Sequence, residues 1–554
     1  MNASPFFPLS RRVFLSGVAA AGSVAAQPNE NNQSQSDTAH RTKEAYRIRV
    51  DAARLERDVH GDIQLDNGDE ALYPTRIGNF TKGLPHNDAG EVDLNAYSTL
   101  QRALSSGRHA DFEAIVMGSP DPASQRKFVN PQAGIAFNLE GADSHQLVIP
   151  PAPAFGSAEQ AADAVELYWQ ALARDVPFSE YATHNVTIAA AAELSKLSGF
   201  RGPKRNGLVD AYTLFRGFTA GDTLGPYISQ FLLKGIPFGV QFIEQKMLSL
   251  MPNRDYMTDF AEWLAIQNGA AAKTSDQIDS VRCYIRNGRD LAQWVHIDVL
   301  FQAYFNAMLM MLAAPDSSDK DTGGGMKVPF NPANPYLKSR TQDGFGTFGA
   351  PAYAAATAEI ATSALKAVWY QKWYVHRRLR PEAFGGAIHN QLTNRRQYPI
   401  HRDALNSTAV AQVFSKHGSY LLPQAFPEGS PLHPSYGAGH ATVAGACVTM
   451  LKALFDESYV IPNPVTAAPD GHSVVPYTGP DAARLTVGGE LNKLAANVAI
   501  GRNFGGIHYR SDYTQSLRLG EMVAISALRD RKLTYNENFE GFTFTRFDGT
   551  KITV

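Results

Sequence analysis

Cysteine is scarce in this chain: the 554 residues contain only Cys283 and Cys447. Two thiols exclude a disulfide framework and a four-cysteine metal site, and two buried free thiols are the simpler expectation. An excess of one charge sign is missing as well. Fifty-one basic residues face 53 acidic ones, a formal net charge of −2, which excludes a nucleic-acid binder working through a basic surface. Long uncharged apolar runs are also lacking. Trp294–Ala314 comes nearest to a membrane span, but Asp298, Gln302 and Asn306 recur in it at four-residue steps, with His296 beside them. That polar stripe predicts a core helix of a bundle. With 44% apolar and 19% charged residues, whole-chain disorder and a collagen-like repeat are excluded too. Length alone suggests roughly three to four domains, although a large helical bundle counts as one.

What is present begins with an address. Residues 1–26 read as an export signal: Ser10-Arg11-Arg12-Val13-Phe14-Leu15 is a twin-arginine pattern, and small residues near Ala25 and Ala26 suit cleavage. The apolar run Val13–Ala26 is shorter than the roughly 20 residues that cross a bilayer. A periplasmic or secreted protein is therefore expected, with 49 basic and 53 acidic groups left after cleavage and no transmembrane segment in the mature chain. Polar residues 27–45 predict a flexible linker, and 46–554 a single large domain. Ala158–Arg174, Val281–Leu312 and Ala352–Leu379 carry helical spacing. Asp548-Gly549, flanked by Phe542–Thr545 and Lys551–Val554, predicts a terminal hairpin. Gly323-Gly324-Gly325 precedes no Lys-Ser/Thr pair and reads as a loop rather than a phosphate-binding motif. The fold class expected is mainly α, a large helical-bundle assembly with small β hairpins.

Three segments within 369–512 carry chemistry. In the first, Lys372 lies on a helix, and Pro381 biases Arg380 out of the α region. Eight helical residues would set the two cations about 80° apart and roughly 12 Å along the axis, still close enough to meet on one ligand if the last turn is loose. In the second, His433-Pro434-Ser435-Tyr436-Gly437-Ala438-Gly439-His440 feeds a helix over Ala441–Leu451. A small-residue turn at a helix N-terminus offers free amides and the positive end of the dipole to an anion, and His440 could exchange protons with it. In the third, Arg502 precedes His508 and Asp512, which would share one face of a helix; the carboxylate could hold Nδ1–H and leave Nε2 as an electron-pair donor. Taken singly, each segment also fits a plain structural role: a basic helix end, a tight helix corner, a satisfied histidine. Zinc on His433, His440 and His508 is disfavoured by the cations Lys372, Arg380 and Arg502, which suit a tetrahedral oxyanion instead.

In this order the segments resemble the superfamily of vanadium-dependent haloperoxidases and class A acid phosphatases. Its pattern is Lys–spacer–Arg-Pro, then Pro-Ser-x-x-Ser-Gly-His, then Arg-x₅-His-x₃-Asp. The chain meets it with Lys372, Arg380-Pro381, Gly439-His440, Arg502, His508 and Asp512. The seven-residue spacer between Lys372 and Arg380, and His433 seven before His440, resemble algal-type bromoperoxidases rather than phosphatases. The runs 286–296, 343–349 and 376–386 extend the similarity to red-algal and cyanobacterial members. Two positions depart. Ala438 stands where a serine usually precedes Gly-His, at a cost of roughly 1.5–3 kcal/mol if that hydroxyl bonds a charged oxygen. Trp369 stands where red-algal enzymes tend to carry arginine, which leaves the halide preference open.

The resemblance implies that His508 binds vanadium directly while Lys372, Arg380, Arg502 and the Gly439 amide hold the vanadate oxygens. It further implies that His440 takes a proton from hydrogen peroxide, that Lys372 polarises bound peroxide, and that His433 tunes His440 or the halide environment. Asp512, Trp369 and Ala438 support the site. The expected partners are hydrogen peroxide, a halide, small organic substrates and further copies of the chain, with no nucleic acid; the expected cofactor is vanadate. A structural calcium ion near Asp343 is a further expectation. Two other functions compete: an exported phosphatase with His508 as nucleophile and His440 protonating the leaving group, and a non-catalytic anion-binding or shell protein.

Overall fold

A computed structural model describes residues 38–554 apart from 59–62, 120, 122, 316–318 and 320–321. The export signal at 1–26 lies outside the described residues. So does the first part of the 27–45 stretch, but a helix occupies Thr38–Asp58, so the expected linker is helical from Thr38 onward. The chain divides between Asp51 and Ala52, and the compact unit that follows, Ala52–Val554, contains all the site residues.

Eight helices of this second unit position the site: α1 (Ala158–Leu172), α2 (Gly288–Trp294), α3 (Gln302–Leu312), α4 (Ala350–Tyr370), α5 (Pro381–Leu392), α6 (Gly439–Leu454), α7 (Val487–Phe504) and α8 (Arg510–Lys532). The centre is α6, which packs against α4, α7 and α8. All its residues are buried except His440. A helix apolar all round belongs in the middle of a bundle, and the one residue left partly open stands at its first turn. Small residues allow the close approach of α6 to α8. A Cβ on Gly445 would run into the Leu517 carbonyl, and one on Gly520 into the Thr442 carbonyl. The described strands form four two-stranded antiparallel sheets, among them the expected terminal hairpin, Thr543–Thr545 with Lys551–Thr553. Mainly α with small hairpins is thus the architecture found, and no helix among the described residues is long and apolar enough to cross a membrane.

Two expected helices are broken, both at the site. The span Val281–Leu312 is not one helix. Ile278–Cys283 is a strand paired with Met247–Leu250, and α2 and α3 are separated by Val295–Phe301. The polar residues read as a helical stripe are drawn apart by partners elsewhere: His296 pairs with Glu428, and Asp298 with His440. Ile297 and Val299, between and beside them, face solvent. Tertiary partners thus override the local helical preference. The other break follows Tyr370, where α4 continues as a π turn over Gln371–His376 and stops at Arg377, whose φ is +43°. The extra residue in that turn re-aims Lys372 relative to an unbroken α-helix, and Arg380 is extended, as the following proline requires. Replacing Gly520 with valine is expected to destabilise the protein on the order of 3 kcal/mol by forcing α6 and α8 apart, measured as a lowered denaturation midpoint.

Candidate active site

Lys372, Arg380 and Arg502 are all buried. Among the described residues none of the three has a carboxylate in ion-pair contact, and each side chain is aimed by backbone carbonyls instead. Lys372 Nζ donates to Pro434 O (2.7 Å) and Ser435 O (3.1 Å). Arg380 donates from Nε to His433 O (2.7 Å) and from Nη1 to Ile507 O (2.9 Å). Arg502 Nη1 donates to Val295 O (2.9 Å), while its buried Nε has no partner. Burial lowers the pKa of Lys372 well below the ordinary lysine value, and the charges of Arg380 and Arg502 push it the same way. Burial also brings Arg380 down to about 9. Three desolvated cations acting on one another make a place suited to an anion.

His508 stands just ahead of α8, not on it. Tyr509 caps α8 and Asp512 occupies its first turn, so the four-residue spacing works through a helix cap rather than a shared helical face. Asp512 Oδ2 lies 3.0 Å from His508 Nδ1 and accepts from the Tyr509 amide (3.0 Å) and from the Ser435 hydroxyl. Its Oδ1 accepts from Arg378 Nη1 at 2.7 Å. Burial pushes the Asp512 carboxyl up, but Arg378, then His508 and Ser435, overcome this and hold it below the usual carboxylate range. The carboxylate therefore fixes the proton on His508 Nδ1. His508 itself is kept neutral by burial and by Arg380, and Nε2, 3.2 Å from Arg380 Nη1, carries the lone pair.

At the other wall Ala438 caps α6 with no side-chain hydrogen bond, so no side chain competes for the first amides of the helix. Its own N–H donates to Ser516 Oγ (2.7 Å). A Cβ on Gly439 would press on the Trp369 ring, which is why the smallest residue sits there. That indole is held by Val129 O, packs against His433 with ring centroids 4.9 Å apart, and lies 5.8 Å from Lys372 Nζ. His433 meets Arg380 Nη2 through Nδ1 (2.9 Å) and is kept neutral by burial together with Lys372 and Arg380. It therefore joins the arginine and the tryptophan, and no contact with His440 is found. His440 has its Nε2 3.0 Å from Asp298 Oδ1, and its side chain is 24% exposed against 3% for His508.

The structure thus brings together Lys372, Arg380, His433, Gly439, Arg502, His508 and Asp512 as the motifs suggested, with Trp369, Ala438 and His440 beside them. Three contributors went unread in the sequence. Asp298 was taken for part of a helical stripe. Ser435 was present in the Pro-Ser pair of the motif, and Arg378 stood two residues before Arg380. Near Asp343, which is exposed, the expected calcium finds no carboxylate cluster: no group of three or more His, Cys, Asp or Glu side chains able to hold a metal ion occurs among the described residues.

Arg378, by contrast with the three site cations, does have acidic partners. Besides Asp512 it reaches Gln160 Oε1 (2.5 Å), Ser511 Oγ (2.8 Å) and Asp163 Oδ2 (3.4 Å), and it stacks on Tyr509 at 4.0 Å. Arg378→Gln strands two buried carboxyls, and a loss of about 3–5 kcal/mol is expected, read as a fall in Tm.

The chain is similar to known proteins in sequence and in fold. The family profile described as the VCPO second helical-bundle domain matches residues 353–536. The vanadium-dependent bromoperoxidase of Corallina officinalis is 36% identical over an alignment covering 95% of this chain and 100% of that one. The bromoperoxidase of Ascophyllum nodosum is also 36% identical, with 92% of each chain covered. The homohexameric structure of the second vanadate-dependent bromoperoxidase from Ascophyllum nodosum superposes with a TM-score of 0.86 at 31% identity, over 100% of this chain and 94% of that one. With this fold, these buried cations and near-full-length similarity to bromoperoxidases, the chain belongs to the vanadium-dependent haloperoxidase family.

Proposed function

We propose that the protein is an exported vanadate-dependent haloperoxidase that oxidises bromide, and also iodide, with hydrogen peroxide. The product is hypohalous acid or an equivalent species that halogenates small organic molecules. The observation that carries this reading is the set of three buried cations without ion-paired carboxylates beside a neutral His508 whose Nε2 lone pair faces Arg380. The donor set fits a tetrahedral oxyanion. Lys372 uses two of its three N–H bonds on carbonyls, Arg502 Nε is buried and unpartnered, and no side chain caps α6. His508 Nε2 would hold the vanadium, and Lys372, Arg380, Arg502 and the Gly439 amide would hold the oxygens. When bound, vanadate supplies a Lewis-acidic centre that stays at +5 and activates peroxide toward halide.

The remaining work falls to the protein's own groups. His440, oriented by Asp298 at Nε2, takes a proton from hydrogen peroxide at Nδ1, and the carboxylate stabilises the imidazolium that results. Lys372, through its third N–H, draws charge from the oxygen that the halide attacks. Trp369 and His433 wall the halide side with an apolar ring and a neutral imidazole. The two cysteines suit this oxidising chemistry. Both are buried, and burial raises both thiols, Cys283 to about 12, so neither offers a reactive thiolate. The hexameric Ascophyllum relative supports a homo-oligomer here, and the twin-arginine pattern supports export in the folded state.

Apoprotein given vanadate, bromide and peroxide is expected to brominate a dye, with the activity competed by phosphate and absent from His508→Ala. Vanadate-inhibited hydrolysis of a phosphate ester, with no halogenation, would overturn this reading in favour of a phosphatase. Sulfate keeps a fixed charge near neutrality and tests the electrostatics alone. The lysine pKa is lowered, so the charged form that binds sulfate is complete at low pH and lost as pH rises through that lowered value. Sulfate affinity is therefore expected to decline well before an ordinary lysine titrates, near ~10.4. An affinity that stays flat up to that pH contradicts the burial of Lys372 as the cause.

A further inference from the structure

His296 belongs to the run 286–296 that the sequence singled out, and it takes no part in the chemistry above. It stands in the break between α2 and α3, in a stretch that serves the site twice. The Val295 carbonyl holds Arg502 at 2.9 Å, and the Asp298 carboxylate holds His440 at 3.0 Å. Ile297 and Val299 are 71% and 60% exposed, so their own packing does not fix the position of Asp298. Two side chains restrain this stretch: Gln302, whose Oε1 accepts from the Val299 amide at 3.2 Å, and His296. Its ring stacks on Phe426 with centroids 3.7 Å apart, its Nε2 lies 2.8 Å from Glu428 Oε1, and its Nδ1 lies 3.7 Å from Asp276 Oδ2.

Phe426 and Glu428 are not passive surface. They begin the segment that runs to His433, whose carbonyl and ring both receive Arg380. That segment is pinned from beneath, because the Glu428 carbonyl accepts from Lys82 Nζ (3.0 Å) and Arg126 Nη1 (2.9 Å). Lys82 in turn is paired with Glu382, two residues after Arg380, at 2.5 Å. One imidazole therefore ties the strip carrying the Arg502 and His440 partners to the strip carrying His433. Without it, Asp298 would keep its contact with His440 and its attraction to Arg502, but the Val295–Phe301 loop would lose its side-chain tie to the 426–433 strip.

We propose that His296 is a positioning residue for halide oxidation: latched to Glu428 and Phe426, it fixes Asp298 against His440 and the Val295 carbonyl against Arg502. This inference rests on the functional reading above. The latch acts at a distance from the oxyanion, so its loss should affect binding and turnover while leaving the bundle folded. A displacement of about 1 Å at a group positioned for reaction can cost on the order of a hundredfold in rate.

The experiment uses the full-length, vanadate-loaded enzyme and compares His296→Ala, His296→Gln, Glu428→Gln and Asp298→Asn with the double variant H296A/D298N. Vanadate affinity is read by titration of the apoproteins, kcat by dye bromination at saturating substrates, and folding by Tm. His296→Ala is expected to lower kcat about tenfold or more and to weaken vanadate binding, with Tm unchanged. His296→Gln keeps a donor toward Glu428 and should recover most of the loss. In the Asp298→Asn background, His296→Ala should lower kcat little further, because the two residues act in series. Should His296→Ala not fold, Glu428→Gln carries the same comparison, with the same drop expected. A fully additive loss in the double variant, or unchanged kcat and vanadate affinity in His296→Ala and Glu428→Gln, would overturn the latch. If the wild-type enzyme brominates and these variants match it, the latch alone falls; if the wild-type enzyme fails to brominate with vanadate, the functional reading falls and the latch with it.

Discussion

Three buried positive charges, none with a carboxylate in ion-pair contact, dominate this structure. Lys372, Arg380 and Arg502 come from three separate stretches of chain, and the bundle brings them to one place where each is held by carbonyl oxygens. Carbonyls orient a cation but do not neutralise it, so the cost of desolvation is left for a ligand to offset. That single electrostatic demand explains why burial lowers the pKa of Lys372 and of Arg380 and why the neighbouring histidines are kept neutral. It also explains how a chain of almost balanced charge can bind an anion without any basic surface.

The fold meets this demand by separating two kinds of carboxylate. Asp512 is paired with Arg378 and held by Ser435 and the Tyr509 amide, so it sets the tautomer of His508 without an ion-pair contact to the cations of the site. Asp298 sits at the more open side against His440. The two imidazoles therefore stand in different environments, His508 almost wholly enclosed beside Asp512 and His440 partly open beside Asp298. Both depend on the close crossing of α6 and α8 at Gly445 and Gly520, which fixes the first turn of α6 relative to the start of α8.

The chemistry-bearing motifs were legible in the sequence because their residue types and spacings are rare in combination. The cations, His440 and the His508–Asp512 pair are where the motifs pointed. The terminal hairpin was legible too, since a turn dipeptide between alternating residues is a local signal. What could not be read were the long-range overrides. The π turn at Gln371–His376 and the left-handed Arg377 replace an expected smooth helix end. The break at Val295–Phe301 turns an apparent helical stripe into a loop, because His296 and Asp298 find partners more than a hundred residues away. Periodicity reports which residues avoid water in a helix; it does not report which will be recruited by a distant charge. The role of Arg378 was hidden for a similar reason, since neighbouring basic residues look alike until the fold gives one of them two carboxylates.

Crystals of the protein soaked in vanadate and measured at the vanadium absorption edge test this account most directly. One anomalous peak per chain is expected beside His508 Nε2, within hydrogen-bond reach of Lys372 Nζ and the guanidinium groups of Arg380 and Arg502, and next to the Gly439 amide. A peak elsewhere on the protein, or none beside His508 at saturating vanadate, would contradict the claim that these three buried cations exist to receive that oxyanion.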